Sequence, residues 1–429
     1  MPPEDHPQRF LLANELHARP FPAVEAPGQA AYLAIKPITD AARRDRARDR
    51  AHLLSLLDRF GVAHPPPDAT HHFADLGRFR LKWESHTEFV TYTAFLPGLG
   101  ERAFDPAAFE VFPADWLAEV PGVRFTSALL RIDHIPAEEA RVNAQLGDWF
   151  VQESVACSRV LDGAAIIASD FRIDSAGHMR LAVFVAPGTG PRRVGRIVQR
   201  LCEIETYKSM SMLGFARARQ LSPQIGELDT RLSGLVGALT TGESPPDETL
   251  RSLLGISAEL ENLLVKSSFR FSATAAYEAI VHERIEVMRE ERVFGRQTLA
   301  EFMLRRFDPA MRTVQAAEAR LGTLAERSMR AGTLLSTRVD VDRSAQNQKL
   351  LESMDRRADM QLRLQRTVEG LSVVAISYYA VGLVGNVIEP LAAPLGMQRG
   401  LLLALLTPLV VVAVWFLVHR IRERLTGGH

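Results

Sequence analysis

The side chains of this chain best suited to chemistry are the histidines His64, His71, His72, His86 and His134, with the acids Glu88 and Asp133 close by in sequence. A metal site needs several such ligands converging on one point. Adjacent side chains on a strand point to opposite faces, so His71 and His72 cannot share an ion if they lie on one. His86 and Glu88 fall in a polar break between two strand-like runs, where polar residues are expected at a turn whatever the function. Asp133-His134 sets an acid beside a base, but nothing nearby reads as a nucleophile for the pair to activate. No glycine-rich phosphate loop, zinc-spaced His/Cys set or nucleophile elbow is present. No enzyme activity is expected, and no cofactor. Cys157 and Cys202 are too few and too far apart for a disulfide framework, and read as buried apolar residues in a reducing compartment. Asn14-Glu-Leu-His17-Ala-Arg19-Pro-Phe21 crowds several functional groups together; its plainest reading is a capped helical turn stopped by Pro20 and Pro22.

The elements that would position such groups are of two kinds, membrane helices and a cytoplasmic head. Two adjacent runs, Gly370 to Ile388 and Gly400 to Val418, each hold nineteen residues without Asp, Glu, Lys, Arg or His. At about 1.5 Å per residue each spans the ~30 Å of a bilayer's hydrocarbon. The connector Glu389 to Arg399, with Pro390, Pro394 and Gly396, is long enough to turn the chain and little more. Arg356, Arg357, Arg363 and Arg366 precede the first span and Arg420, Arg422 and Arg424 follow the second, against Arg399 alone between them. Basic residues stay on the cytoplasmic side, so both termini are expected in the cytoplasm and the hairpin in an inner membrane. The first residues, Met-Pro-Pro-Glu-Asp-His-Pro, lack the basic and apolar pattern of an export signal and agree with that placement.

The two spans differ. The second is greasy, with Trp415 at interface depth and Pro408 a predicted kink. The first carries Ser372, Ser377, Tyr378, Tyr379, Gly382, Gly385 and Asn386. Small residues allow close helix approach in lipid, and polar ones want a protein or water partner. The first span is therefore expected inside a homo-oligomer, with the lipid bilayer around the second. With 51 basic and 51 acidic residues the chain has no charge surplus for nucleic-acid binding.

Upstream, residues 247–389 hold one proline, Pro309, of 24 in the chain, which predicts long helices. A helix from Ala310 to Glu389 would be roughly 120 Å long, unless Gly322 or Gly332 breaks it. Leu351, Met354, Ala358 and Leu362 form a narrow stripe on it, suited to a stalk. Before residue 215 strand and helix signals mix. Phe79–Glu84 and Phe89–Phe95 read as a β-hairpin turning at Ser85 to Glu88. Further strands are predicted at Ala31–Lys36, Arg124–Asp133, Gly163–Ile173 and Met179–Ala186, and helices at Asp40–Phe60, Ala137–Glu153 and Pro191–Arg219. The fold class is an α+β N-terminal cytoplasmic domain followed by long helices and a C-terminal two-helix transmembrane hairpin. The divisions are 1–215 for the α+β domain, 216–369 for the helical region, 370–418 for the hairpin and 419–429 for a basic tail.

Asn14 to Phe21, Lys82-Trp-Glu84 with Thr87-Glu-Phe89, and the hairpin together resemble a bacterial family described only as predicted membrane-anchored proteins of unknown function. That resemblance covers nearly the whole chain and implies a membrane anchor without an established activity. In element order the chain also resembles CorA-type divalent-cation transporters, whose α/β head, long stalk helix, first span, short external loop and second span assemble as five subunits around a first-span pore. The family's Gly-Met-Asn signature ends that span; Val384-Gly385-Asn386 keeps the asparagine only, and the family's Pro-Glu loop pair stands reversed as Glu389-Pro390. The resemblance implies a cation-facing oxygen at Asn386, the one residue assigned to a metal, and a divalent cation as transported ion. The expected function is a CorA-like cation channel with Tyr378, Tyr379, Gly382, Gly385 and Asn386 along its axis. The alternatives are a non-conducting tethered scaffold or regulator, then a membrane-associated enzyme, and, for Asn386, an interhelical hydrogen bond or exposure at the membrane boundary.

Overall fold

The computed structural model describes residues 3–15, 21–241, 245–392 and 399–426. The chain forms two compact units, Met1–Ser244 with Arg251–Ala331, and Pro245–Leu250 with Gly332–His429. The first is built on a nine-stranded sheet: β1 (Gly28–Lys36), β2 (His71–Asp75), β3 (Arg80–Ser85), β4 (Val90–Pro97), β5 (Val123–His134), β6 (Ala156–Val160), β7 (Ala165–Ser169), β8 (Met179–Val185) and β9 (Glu291–Arg292). Their order is β2-β3-β4-β1-β5-β8-β7-β6-β9, with β5 and β8 parallel and the other pairs antiparallel.

Period-two alternation sorts the side chains onto two faces. On one face Leu33, Leu81, Trp83, Tyr92, Leu129 and Phe184 bury against helices α2 (Arg46–Arg59), α3 (Ala114–Ala118) and α4 (Ala140–Trp149). The opposite parity carries Tyr32, Lys82, Glu84, Thr91 and Thr93, all buried. Helix α5 (Pro191–Thr241) covers this face, with Tyr32 bonded to Thr206 and Lys82 to Gln199. A Cβ on Gly195 would lie 1.7 Å from the Pro22 carbonyl oxygen, so only glycine lets the start of α5 pass that segment.

The predicted strands and the β3–β4 hairpin are present, with three differences nearby. The helix expected at Asp40–Phe60 is a short 3₁₀ turn (Ala41–Arg43) followed by α2, because the Asp45 side chain caps the Ala47 N–H and restarts the helix. Strands β2, β6 and β9 are not among those predicted: β2 has few apolar residues, β6 is a short run with Ser158 and Arg159 at its centre, and β9 has two residues in all, so each takes its place from its neighbours. Helix α5 does not end at Arg219 but runs through Pro223, where buried Leu221, Ile225, Leu228 and Leu232 hold the turn that proline weakens.

Two long helices and a short one follow. Helix α6 (Pro246–Glu286) approaches α5 closely at Gly214, where a Cβ would sit 2.1 Å from Thr274 Oγ1. A short α7 (Leu299–Arg306) opens with a capping box between Thr298 and Glu301. Helix α8 (Asp308–Ala392) is unbroken over 85 residues, through Gly322 and Gly332, which the sequence marks as possible breaks. Buried Leu321, Leu324 and Leu335 flank those glycines, and packing outweighs their cost of about 1 kcal/mol each. In the second unit α8 continues to Ala392, and α9 (Arg399–Thr426) follows. Both contain a window long and apolar enough to cross a membrane, and only 6% of either window is buried, unlike the core helix of a soluble domain. Of Asn14 to Phe21, α1 (Arg9–Glu15) takes in the first two residues, while Leu16 to Pro20 lie outside the described residues, as do residues 393–398 of the connector.

Candidate functional site

Buried ion pairs surround the β3–β4 turn, where the sequence places His86 and Glu88. Two arginines hold this turn from different elements. Arg44, before α2, sends its guanidinium to the His86 carbonyl at 2.7 Å, the Ser85 hydroxyl at 3.0 Å, the Phe89 carbonyl at 3.2 Å and the Thr87 carbonyl. Its Nε binds Asp49 at 2.6 Å, and both side chains of that ion pair are almost wholly buried. Burial pushes the Asp49 carboxyl up, and Arg44 opposes the shift.

Glu88 is fully buried. Its carboxylate accepts from both terminal nitrogens of Arg270, one at 3.2 Å, and from the Tyr277 hydroxyl at 3.0 Å. Arg270 and Tyr277 stand seven residues apart on one face of α6. Burial first, then the Glu88 charge, holds the Tyr277 hydroxyl well above its ordinary range, so it donates as a neutral phenol. Sequence reading treats Glu88 as an ordinary turn residue; its partners lie 182 and 189 positions away, where local pattern carries no signal.

Beside the turn, a recess lies between the sheet and α5. Lys82 bonds Glu84 at 3.1 Å and Gln199 at 2.6 Å; Gln199 bonds Glu203 at 2.7 Å, and Glu203 accepts from Arg284 at 2.5 Å. His86 and Tyr207 approach to 3.5 Å across its mouth. Thr206 donates to the Cys202 carbonyl, so the buried Tyr32 hydroxyl, whose pKa burial pushes far up, donates to Thr206. The recess offers about 20 Å³ to the centre of a water molecule, and one water needs roughly 10–15 Å³. It has room for a single water among charges already paired with one another. That geometry suits a packed polar seam better than a substrate pocket.

The remaining histidines disperse. His71 pairs with Glu84 and His72 with Trp83, on opposite faces of edge strand β2, as the alternation requires. His64 bonds Asp58 at 2.6 Å. His134 lies at the far end of β5, ten residues beyond the Arg124 that flanks the turn's end of the sheet, or roughly 33 Å at 3.3 Å per residue. No cleft joins His86, Glu88 and His134, and Asp133 bonds its neighbour's backbone N–H and Arg131. Among the described residues no three His, Cys, Asp or Glu side chains are placed to hold a metal ion. Sequence reading passes over His52, buried between the Tyr92 hydroxyl and the Trp116 carbonyl, each 3.0 Å away, and stacked on the Trp116 ring. Burial holds it below its usual pKa, a neutral core histidine. Burial also raises both thiols, Cys157 to about 12, which removes them as nucleophiles near neutral pH.

In the second unit, the first span divides its polar residues. Tyr378, Gly382 and Asn386 recur at four-residue spacing on one exposed face, with Tyr379 beside them. The two tyrosine rings meet edge to face at 5.8 Å. Gly385 instead flanks α9: a Cβ there would stand 3.0 Å from Leu403 Cδ2, so glycine permits close approach of the two helices. Among the described residues no side chain bonds Asn386 or either tyrosine hydroxyl.

An α+β head, long helices and two apolar helices of spanning length define the class of this protein. The chain matches, over residues 4–425, the family described as Protein of unknown function (DUF3422), and it belongs to that family. This agrees with the resemblance to an uncharacterised family. No curated protein and no solved structure matches the chain. None of these matches shows the expected likeness to CorA-type transporters.

Proposed function

We propose that this protein is anchored in the inner membrane by its α8–α9 hairpin, with both termini in the cytoplasm, and that copies assemble with first spans inward, passing a hydrated cation along them. The observation that carries the reading is the exposed row Tyr378, Gly382 and Asn386 on a span without charged residues. A polar group facing hydrocarbon without a partner is costly, so this row belongs against other protein or water. A ring of Asn386 amide oxygens suits a hard cation that keeps its waters, and the neighbouring hydroxyls extend the polar lining. Gly385 serves the hairpin's own packing in this reading, leaving Tyr378, Tyr379, Gly382 and Asn386 on the axis.

Magnesium uptake into proteoliposomes tests conduction. The unmodified protein is expected to admit the ion, and Asn386→Ala to slow uptake about tenfold, equivalent to roughly 1.4 kcal/mol. Absence of uptake with the unmodified protein removes the channel and leaves a non-conducting membrane-tethered scaffold. Uptake unaltered by Asn386→Ala removes the asparagine from the pathway.

A further inference from the structure

Every residue of α8 from Asp340 to Val368 is exposed, including Leu350, Leu351, Met354, Met360, Leu362 and Leu364 at more than half of their full area each. A helix of such composition does not stand alone in water at low cost. The spacing of its charges shows where it is covered. Between Ser344 and Asn386 there are nine charged residues. A line drawn through Ser344 in alternating steps of three and four residues reaches Asn347, Leu351, Met354, Ala358, Gln361, Gln365 and Val368 without meeting one of them. Continued without a change of step, it runs through Ser372, Ala375, Tyr379 and Gly382 to Asn386, and every residue on it is exposed.

A repeat of 3.5 residues is the period at which helices wind around one another in a left-handed coil. Leu350, Leu364 and Leu371 on one flank and Leu362 on the other widen the apolar strip, as an assembly with a neighbour on each side requires. Ala358, Gln361, Gln365, Val368 and Ser372 also line an open groove, bordered on its other side by Val418 of α9.

We propose that this line is a self-association seam, along which α8 helices of several copies lie parallel and in register from Ser344 through the first span. The occupant is a second copy of this chain. Copies anchored in one bilayer enter it in the same direction and at the same depth, so equivalent residues meet. Gln361 and Gln365 then face their own counterparts, and an amide, being donor and acceptor, satisfies a copy of itself. The inference rests on the membrane anchor proposed above, but not on conduction.

Single cysteines test it, because Cys157 and Cys202 are buried with raised thiol pKa and stay silent. In the full-length protein in membranes, Met354→Cys and Gln361→Cys are expected to form disulfides under mild oxidant, shifting the band to twice 47.6 kDa. A disulfide needs Cβ atoms about 3.5–4.5 Å apart, so Arg356→Cys and Arg363→Cys, on the far side of the helix, are expected to stay at single mass. Equal cross-linking at all four positions, or none at any, overturns the seam. A shifted band of any other mass identifies a different partner and also overturns it. Cross-linking at Gln361→Cys without cation uptake keeps the seam and removes the channel; uptake without cross-linking does the reverse.

Discussion

Arg44→Ala is expected to lower the unfolding free energy of the first unit by about 3–5 kcal/mol, the range for removing one partner of a buried ion pair. Asp49 would keep a buried carboxylate with no counter-charge, and burial already pushes that carboxyl up. The carbonyls of His86 and Thr87 would lose this donor in the same step, and that of Phe89 would keep only the His86 N–H. Lysine at this position restores the charge but cannot reach four acceptors from one planar group, so Arg44→Lys should recover only part of the loss. Thermal unfolding of the detergent-solubilised protein measures both. Arg44→Ala within about 0.5 kcal/mol of the unmodified protein, the scatter of surface substitutions, would show that the arginine does not hold the turn.

The second large effect is at Glu88. Glu88→Gln keeps the shape of the side chain and removes its charge, leaving the Arg270 guanidinium mostly buried without a counter-ion. The expected loss is again about 3 kcal/mol or more. Replacing both residues, as in Glu88→Gln with Arg270→Met, removes the stranded charge and should cost less than the sum of the single changes. Additive losses would mean that the two residues act separately, against the bidentate contact. Arg44 and the Arg270–Glu88 pair hold one turn from different elements, so the combined loss of Arg44 and Glu88 should also fall short of additive.

How far the sequence discloses the molecule depends on the range of the interaction that decides each element. The β3–β4 hairpin is legible because alternation and aromatic content act within a few residues. The long run of α8 is legible because proline is absent from Ala310 to Glu389. Helix α5 passes Pro223 only because Leu221, Ile225 and Leu228 find a core, which is a tertiary effect. The same holds for the turn: His86 and Glu88 are visible as polar residues, whereas Arg270 and Tyr277 arrive from a helix about 180 positions later. In the span, polar residues are visible as a set, but their division between the Gly385 contact with Leu403 and the open Tyr378–Asn386 row needs the packed hairpin.

In the proposed assembly the open row of the first span is covered by further copies of the chain. Native mass measurement of the intact protein, extracted from membranes in mild detergent, tests this most directly. A single dominant species at two or more times 47.6 kDa is expected. A species of 47.6 kDa alone, stable across detergents that preserve known membrane oligomers, would contradict it.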